Sequence, residues 1–153
     1  MKKMNNKGFS LVELIVVVLI MAIIAVALAP QVMKWVENSR KSNDIEAYNT
    51  VLEACNVAAA DEAVIAAAST TLTTVVTMNA TNTTITGSAW ATAIGRTVPC
   101  TGTTVNDTKI TSGDWASKTF YISAQKADGG VNVFKGTNGH QVAGTDYPVK
   151  DFS

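Results

Sequence analysis

An apolar run near the start of the chain is the feature that most constrains its fold. The run extends from Phe9 to Ala29, and Glu13 is its only charged side chain. At about 1.5 Å per residue, a helix of this length is roughly 32 Å long, which is enough to cross the hydrocarbon core of a bilayer. The run is therefore a membrane span, a cleaved signal or a helix buried in a larger assembly.

The charges before the run predict an orientation for such a span. Residues 1–8 contain three lysines and no acid, and positive charge before a span keeps that end in the cytoplasm. We then expect the rest of the chain on the outer face of the membrane. A conventional secretory signal is the competing interpretation, because Ala25-Val26-Ala27 offers a small-residue cleavage site. The run is longer than the apolar region of a usual signal, and a signal gives no reason for Glu13.

Glu13 is the informative residue of the run. A carboxylate within an apolar span costs up to about 2.5–3.5 kcal/mol at mid-membrane, so it is a functional candidate that needs a partner. Cleavage between Gly8 and Phe9 would create an α-amino group on Phe9, four residues from Glu13. These opposite charges could neutralise each other within one subunit or between neighbours. The alternative is an interfacial glutamate that snorkels toward the lipid headgroups.

Charge and cysteine usage narrow the function classes. The formal net charge is zero and no basic block follows residue 41, so nucleic-acid binding is not expected. Cys55 and Cys100 lack metal-site spacing and the only histidine is His140, so the sequence predicts neither a metal nor a cofactor. For an exported domain, a Cys55–Cys100 disulfide is the natural pairing, worth about 4 kcal/mol on the chain-entropy model. Two buried free thiols are the alternative.

The apolar pattern predicts that the helix continues beyond the run. Pro30 removes a backbone donor and clashes with the preceding turn, so we expect a kink near it. The next apolar residues fall at spacings of three and four, which is typical of one buried helical stripe: Ile45, Tyr48, Leu52, Cys55 and Ala59. Four charged residues, Lys41, Asp44, Glu46 and Glu53, lie largely off this stripe. We expect one helix over about residues 9–68, with an amphipathic second half.

The remaining segments predict a small sheet, which makes the fold class α+β. The threonine-rich segment 69–86 predicts a strand or an ordered loop, and Ser88 to Gly95 predicts a short helix with Ser88 as N-cap, burying Trp90 and Ile94. Strands are expected over Thr119–Ser123 and Val131–Phe134, joined by the turn Asp128-Gly129-Gly130. A strand within Thr103–Ile110 is expected beside this hairpin, with a last short one near His140–Val142. The second half of the long helix would pack on this antiparallel sheet.

A specific resemblance is carried by the string Lys7-Gly8-Phe9-Ser10-Leu11-Val12-Glu13-Leu14-Ile15. It resembles the class III leader junction of type IV pilins and of type II secretion pseudopilins. A short basic leader ends in Gly8, Phe9 becomes the first mature residue, and Glu13 is the fifth. The resemblance implies three parts: a cleaved leader 1–8, a transmembrane and filament-core helix 9–35, and a globular head 36–153 that includes the amphipathic helix 36–68.

The resemblance also implies a route and a set of partners. A prepilin peptidase would cut after Gly8 and N-methylate Phe9, and Glu13 would pair with the Phe9 amine of an adjacent subunit. The chain would first be a single-pass protein of the bacterial inner or plasma membrane with a cytoplasmic N-terminus. It would then join copies of itself in an extracellular helical filament, with help from an assembly platform and minor pilins. The subunit would be structural and not an enzyme.

Two other functions stay open at this level. The first is a pseudopilin of a type II secretion or competence system, although the Asp-Pro-Trp-Gly-type calcium loop of major secretion pseudopilins is absent from this sequence. The second, more remote, is a membrane-anchored exported binding domain. Adhesion, motility, DNA uptake and protein secretion share this subunit plan, so the sequence does not select among them.

Overall fold

The computed structural model describes residues 10–137 of the 153-residue chain. The chain divides into two compact units, Met1–Val36 and Glu37–Ser153. The described part of the first unit is helical and belongs to α1, Leu11–Ala58. The predicted leader 1–8 and the strand predicted near His140–Val142 lie outside the described residues, and the predicted domain boundaries stay predictions.

The second unit combines the end of α1 with two short helices and one antiparallel sheet. The sheet has six strands in the order β3-β4-β2-β1-β5-β6. A long helix followed by a small antiparallel sheet confirms the predicted α+β class. The elements after α1 are α2 Glu62–Ala67, β1 Thr73–Met78, β2 Thr83–Ile85, α3 Ser88–Ile94, β3 Cys100–Thr101, β4 Thr104–Val105, β5 Phe120–Ala127 and β6 Gly130–Thr137.

The second half of α1 supplies one wall of the core, as its apolar stripe predicts. Tyr48 and Cys55 are buried, Ala59 just after the helix is buried as well, and Ile45 and Leu52 are partly buried against the same cluster. The ring of Tyr48 makes an edge contact with Phe120 of β5, with centroids 6.3 Å apart. The buried face is wider than the predicted stripe, because it also includes Val51, Ala54 and Ala58.

The predicted end of the long helix, at about residue 68, is wrong. The helix ends at Ala58, and the amides of Ala60 and Asp61 bond three residues back, which tightens the last turn. Asp61 then has an extended backbone and its carboxylate accepts from the amide of Ala63, so it caps the separate helix α2. Because aspartate favours an N-cap over a helix interior, it divides the alanine-rich stretch.

The cap also changes the electrostatics of Asp61. The hydrogen bond from the Ala63 amide lowers the pKa of its carboxyl, and the Arg96 guanidinium, which donates to the same carboxylate, adds to this effect. The ion pair ties the start of α2 to the residues that follow α3. Asp61, the residue at which the long helix is broken, therefore also links α2 to the segment that follows α3.

The threonine-rich segment forms two strands joined by a tight connection. β1 and β2 pair with Val76 opposite Ile85 and Met78 opposite Thr83. The side chain of Asn79 accepts from the amides of Thr81 and Asn82, which closes the turn between the strands. The sequence prediction of a strand or an ordered loop was therefore correct in kind but did not resolve the hairpin.

Threonines align across four neighbouring strands of this sheet. Thr101 pairs with Thr104, Thr104 with Thr84, and Thr84 with Thr77. Their strand neighbours Met78, Ile85 and Val105 are buried, so the threonine row lies on the face that points away from the core. β-Branched threonine suits such a half-exposed sheet face, which explains why a polar segment can be extended.

The short helix and the last hairpin follow their local signals closely. α3 ends before Gly95 and buries Trp90 and Ile94 as predicted, although Gly87 and not Ser88 is its N-cap. β5 and β6 pair along eight residues and meet at a turn in which Gly129 has a φ of +103°, a value that favours glycine. Both strands are longer than the predicted segments.

The placement of the strand predicted within Thr103–Ile110 is wrong. That strand is β4, and it pairs with β2 and β3 and not with the β5–β6 hairpin. The sheet order places β2 and β1 between β4 and β5. Local strand signals cannot specify which long-range partner a two-residue strand takes, since its pairing depends on the path of the chain around it.

We expect the substitution Tyr48→Phe to lower the free energy of unfolding by about 1 kcal/mol, because it removes a buried hydroxyl that hydrogen-bonds to the backbone of the sheet. The Tyr48 hydroxyl donates to the carbonyl of Tyr121 in β5 at 2.9 Å. Chemical denaturation of the full chain in detergent measures the change. The exposed neighbour Asn49→Ala is the control and should cause no such loss, and equal midpoints for both variants would contradict the assigned bond.

Candidate processing and assembly segment

The first turn of α1 provides a polar partner for Glu13. The backbone N–H of Ser10 donates to Glu13 Oε2 at 3.0 Å, and the Ser10 carbonyl accepts from the amide of Leu14 at 3.2 Å. Ser10 therefore occupies the N-cap position, and Glu13 is the third helical residue. This is one half of a capping box, in which an acidic side chain satisfies an amide that the helix leaves open.

The capping contact was missed at the sequence level although its signal was present. Serine followed three residues later by glutamate, just before an apolar run, is the sequence signature of this motif. Negative charge near a helix N-terminus is also favourable, because the first-turn amides are unpaired. Glu13 therefore has a favourable contact inside its own chain before any partner is considered.

The apolar side chains of the first unit are uncovered. The large apolar residues from Leu11 to Val36 are between 43% and 77% exposed. Among residues 10–137, α1 is the helix that is long and apolar enough to cross a membrane. An apolar surface of this extent requires lipid or protein around it, because soluble monomers rarely expose patches of this size.

Two shallow depressions lie on this helix surface. The larger is entirely apolar and its lining residues repeat at spacings of three and four: Leu14, Ile15, Val18, Leu19, Ala22, Ile23 and Val26. Such a groove between side-chain ridges can receive the ridge of a second helix. The smaller depression contains Glu13 together with Val12, Val16 and Val17. The carboxylate thus lies outside the apolar groove.

Pro30 and the residues after it lie within α1. The helix continues through Pro30, whose missing N–H leaves the carbonyl of Val26 without its helical donor. The kink expected there stays a prediction. Trp35 is 68% exposed and Lys34 is exposed beside it, which is the pattern of an interfacial anchor for a membrane helix.

Gly8 and Phe9, the predicted cleavage and methylation residues, lie outside the described residues. Cys55 and Cys100 belong to the second unit, and the structure holds both as free thiols, so the predicted disulfide is not formed in it. Burial raises the pKa of Cys55 to about 12 and also raises that of Cys100, whose thiol donates to the carbonyl of Val98 at 3.4 Å. Neither thiol has the lowered pKa of a reactive cysteine.

A polar cluster of the second unit escaped the sequence analysis. Asp44 was expected off the buried stripe, but it is only 1% exposed. Its Oδ1 accepts from the amide of Thr111 at 2.9 Å and from the Thr111 hydroxyl at 2.7 Å, and its Oδ2 accepts from the amide of Ser112 at 2.8 Å. These three donors satisfy a buried carboxylate that burial alone would destabilise.

Two further helix residues contact the same loop. The Glu37 carboxylate accepts from the Ser112 hydroxyl and from the amide of Asp114, and these bonds lower the pKa of its carboxyl. Lys41 pairs with the Asp114 carboxylate at 2.6 Å, and its Nζ lies 5.6 Å from the ring centroid of Trp115. We call this set the polar clamp: Glu37, Lys41 and Asp44 of α1 with Thr111, Ser112 and Asp114 of the loop.

Spacing provides the signal that could have revealed the clamp. Its helix residues are separated by four and three positions, so they share one face of α1. A charged helix face is normally exposed to solvent. The sequence of the helix alone does not distinguish such a face from one whose side chains bind the amides of a distant loop. In the described part of the chain, no group of three or more His, Cys, Asp or Glu side chains is arranged to hold a metal ion.

The comparisons with known proteins bear on the first unit. Residues 3–29 match the family model described as the prokaryotic N-terminal methylation motif. Neither the curated proteins nor the solved structures yielded a match to the chain. Together with the long N-terminal helix and the sheet that follows it, the motif supports a prepilin of the type IV pilin or pseudopilin type.

The motif has coarse functional implications. The family that carries this motif is one of structural subunits, and the motif implies a prepilin that a peptidase processes and that is assembled into a filament. The apolar N-terminal helix is consistent with anchoring in the membrane before assembly.

We expect the two cysteines to be separate thiols in the purified chain. Intact mass under native conditions should be the same with and without reductant, and Cys55 should react with a maleimide only after the chain is unfolded, because its thiol is buried and its pKa is raised. Cys100 is partly exposed and serves as the internal comparison. A gain of two hydrogens on reduction would show that a disulfide forms.

Proposed function

We propose that this chain is the structural subunit of a type IV pilus, cleaved after Gly8, N-methylated on Phe9 and polymerised through its N-terminal helix. The observation that carries the proposal is a single carboxylate, Glu13, in an otherwise uncharged and exposed apolar run that lies within the matched methylation motif. An ordinary anchor would not need Glu13. A filament subunit does, because its new N-terminal amine requires an opposite charge once it leaves the membrane.

The chemistry of processing follows from the residues at the junction. Hydrolysis of the Gly8–Phe9 peptide bond leaves a carboxylate on Gly8 and an amine on Phe9. Glycine has no side chain to obstruct the scissile bond. The N-methylated amine remains a base and carries a positive charge, so it can still pair with a carboxylate in a low-dielectric environment.

Glu13 would have two successive roles. In the single chain it accepts from the Ser10 amide, a contact that cleavage after Gly8 leaves in place. In the filament its second oxygen would accept the Phe9 ammonium of an adjacent subunit. Head-to-tail contacts of this kind do not close on themselves, so they generate an open helical filament. The apolar groove on α1 supplies a surface for packing against copies of the same helix.

The processing step has a direct test. Mass spectrometry of the mature chain from its native membrane should find Phe9 as the N-terminal residue, carrying one methyl group. The matched comparison is the variant Gly8→Leu, which should retain residues 1–8 because its side chain obstructs the scissile bond. A mature N-terminus at Leu28 or Pro30 would indicate a conventional signal and would contradict the proposal.

The role of Glu13 is tested by two variants that separate capping from charge. Glu13→Gln keeps an oxygen that can accept from the Ser10 amide, since glutamine also serves in capping boxes, but it has no charge. Glu13→Leu removes both. If charge pairing drives assembly, both variants should insert in the membrane and yield at least about tenfold fewer filaments by electron microscopy, the effect of losing roughly 1.4 kcal/mol per contact.

The outcomes for these variants are distinct. Ser10→Ala keeps the charge and the backbone N–H, so it should assemble normally and is the control. Filaments from Glu13→Gln but not from Glu13→Leu would assign the defect to the helix cap and overturn the charge-pairing account. Electron microscopy of cells with and without the chain would distinguish a pilus from a pseudopilus. Surface filaments that disappear when the chain is deleted indicate a pilus, because a pseudopilus spans only the envelope.

A further inference from the structure

The second unit has a defined point at which tension along the chain would enter it. Glu37 is its first residue and follows Val36, the last residue of the first unit, through one peptide bond. Any force on the apolar segment therefore reaches the second unit at Glu37. In the proposed function such force arises whenever a filament is pulled, and the inference rests on that function only for the origin of the load.

The polar clamp lies at this point of entry. Its three helix residues lie within the first eight positions of the second unit, a length of about two helical turns. Its bonds join them to loop residues 67 to 77 positions later in the sequence. A force that peels α1 away from its N-terminal side must break these bonds before it reaches the apolar core contacts of Tyr48 and Val51.

The loop side of the clamp is attached to the core. Ile110 and Trp115, which flank the clamp residues of the loop, are 3% and 2% exposed. The Trp115 ring makes an edge contact with Phe120, with centroids 6.0 Å apart, and Phe120 begins β5. The clamp thus connects the first two turns of the helix in this unit to the start of β5 through a loop whose flanking residues are buried.

The chemistry of the contacts suits resistance to a pulling force. Two carboxylates accept from five donors, three of which are backbone amides. Hydrogen bonds weaken steeply as they lengthen or bend, and those to a charged group are the stronger ones. A cluster of such bonds breaks over a short extension and together, whereas apolar contacts are non-directional and yield gradually.

From this geometry we infer that the polar clamp is a mechanical fastener, which keeps α1 from peeling off the sheet domain when the N-terminal segment is under tension. Asp44 and Glu37 are its central residues. Their loss should raise the unfolding rate under force by more than its effect on the free energy of unfolding would predict, because they are the first contacts that the load meets. This role is separate from processing and from the pairing of Glu13.

The test compares unfolding under force with unfolding in denaturant. The full chain in detergent micelles is held at constant force by handles at its two ends, and the unfolding rate of the second unit is recorded. Asp44→Ala should raise this rate by at least about tenfold more than a control variant with the same denaturant midpoint. The control is Ile94→Val or Ile94→Ala, which alters a fully buried residue of α3 far along the chain from Glu37.

A second variant covers the case in which Asp44→Ala does not fold. Glu37→Ala removes a carboxylate that is 22% exposed in its side chain, and it should show the same excess under force. Hydrogen exchange in the unstretched full chain gives a further readout: residues 37–47 and 110–118 should lose protection together, while α2 and α3 keep theirs. Equal acceleration of the clamp and control variants at matched midpoints would overturn the inference.

This experiment is independent of filament formation. It uses the purified chain, and none of its variants touches Gly8, Phe9 or Glu13. A chain that fails the filament tests can therefore still show the mechanical effect, and a chain that forms filaments can fail to show it. The first result would support the mechanical role of the clamp and contradict the proposed filament. The second would support the filament and contradict the mechanical role of the clamp.

Discussion

The uncovered apolar surface of the first unit is the constraint on which the rest of the molecule depends. A helix whose large side chains are 43% to 77% exposed cannot remain in water, so it must have a bilayer or protein around it at every stage. In the proposed function, leaving the bilayer for a filament would exchange one apolar environment for another, which would make the step nearly neutral for these side chains. The charged groups then decide the direction, because burying an ammonium and a carboxylate together is far less costly than burying either one alone.

The second half of α1 solves the same problem differently. Its apolar residues are covered by the chain's own sheet, and its buried carboxylate is satisfied by the chain's own loop. Asp44 at 1% exposure would be a liability without its donors, since an unpaired buried charge destabilises a fold strongly. The cost is offset by a specific attachment between residues far apart in sequence. The first part of α1 thus needs other molecules to cover its apolar side chains, whereas the apolar side chains of its second half are covered by the chain's own sheet.

Local patterns predicted much of this fold because local chemistry decides those parts. The helical stripe through Tyr48 and Cys55, the turn at Gly129 and the burial of Trp90 each follow from spacing or from one residue's conformational preference. The helix break was missed because alanine-rich sequence does not show that Asp61 would prefer a cap. The burial of Asp44 depends on loop residues more than sixty positions away, and the partners of β4 depend on the order of the strands in the sheet. The local spacing of apolar residues carries no information about either. At the processing segment the Ser10–Glu13 spacing was readable, and only its meaning as a cap was overlooked.

The capping contact changes how Glu13 is best understood. A carboxylate with no partner would resist insertion, and one held rigidly by a strong partner would resist recruitment to another subunit. A single bond from a backbone amide lies between these extremes, because it satisfies one carboxylate oxygen, and no second partner of Glu13 is present among the described residues. The other oxygen could then accept a hydrogen bond from an ammonium group. It also holds the carboxylate at the N-terminal end of the helix, where the new amine of Phe9 would appear. In the proposed function, the chain would thus keep the one charge of its apolar run both tolerable in the membrane and available to a neighbouring subunit.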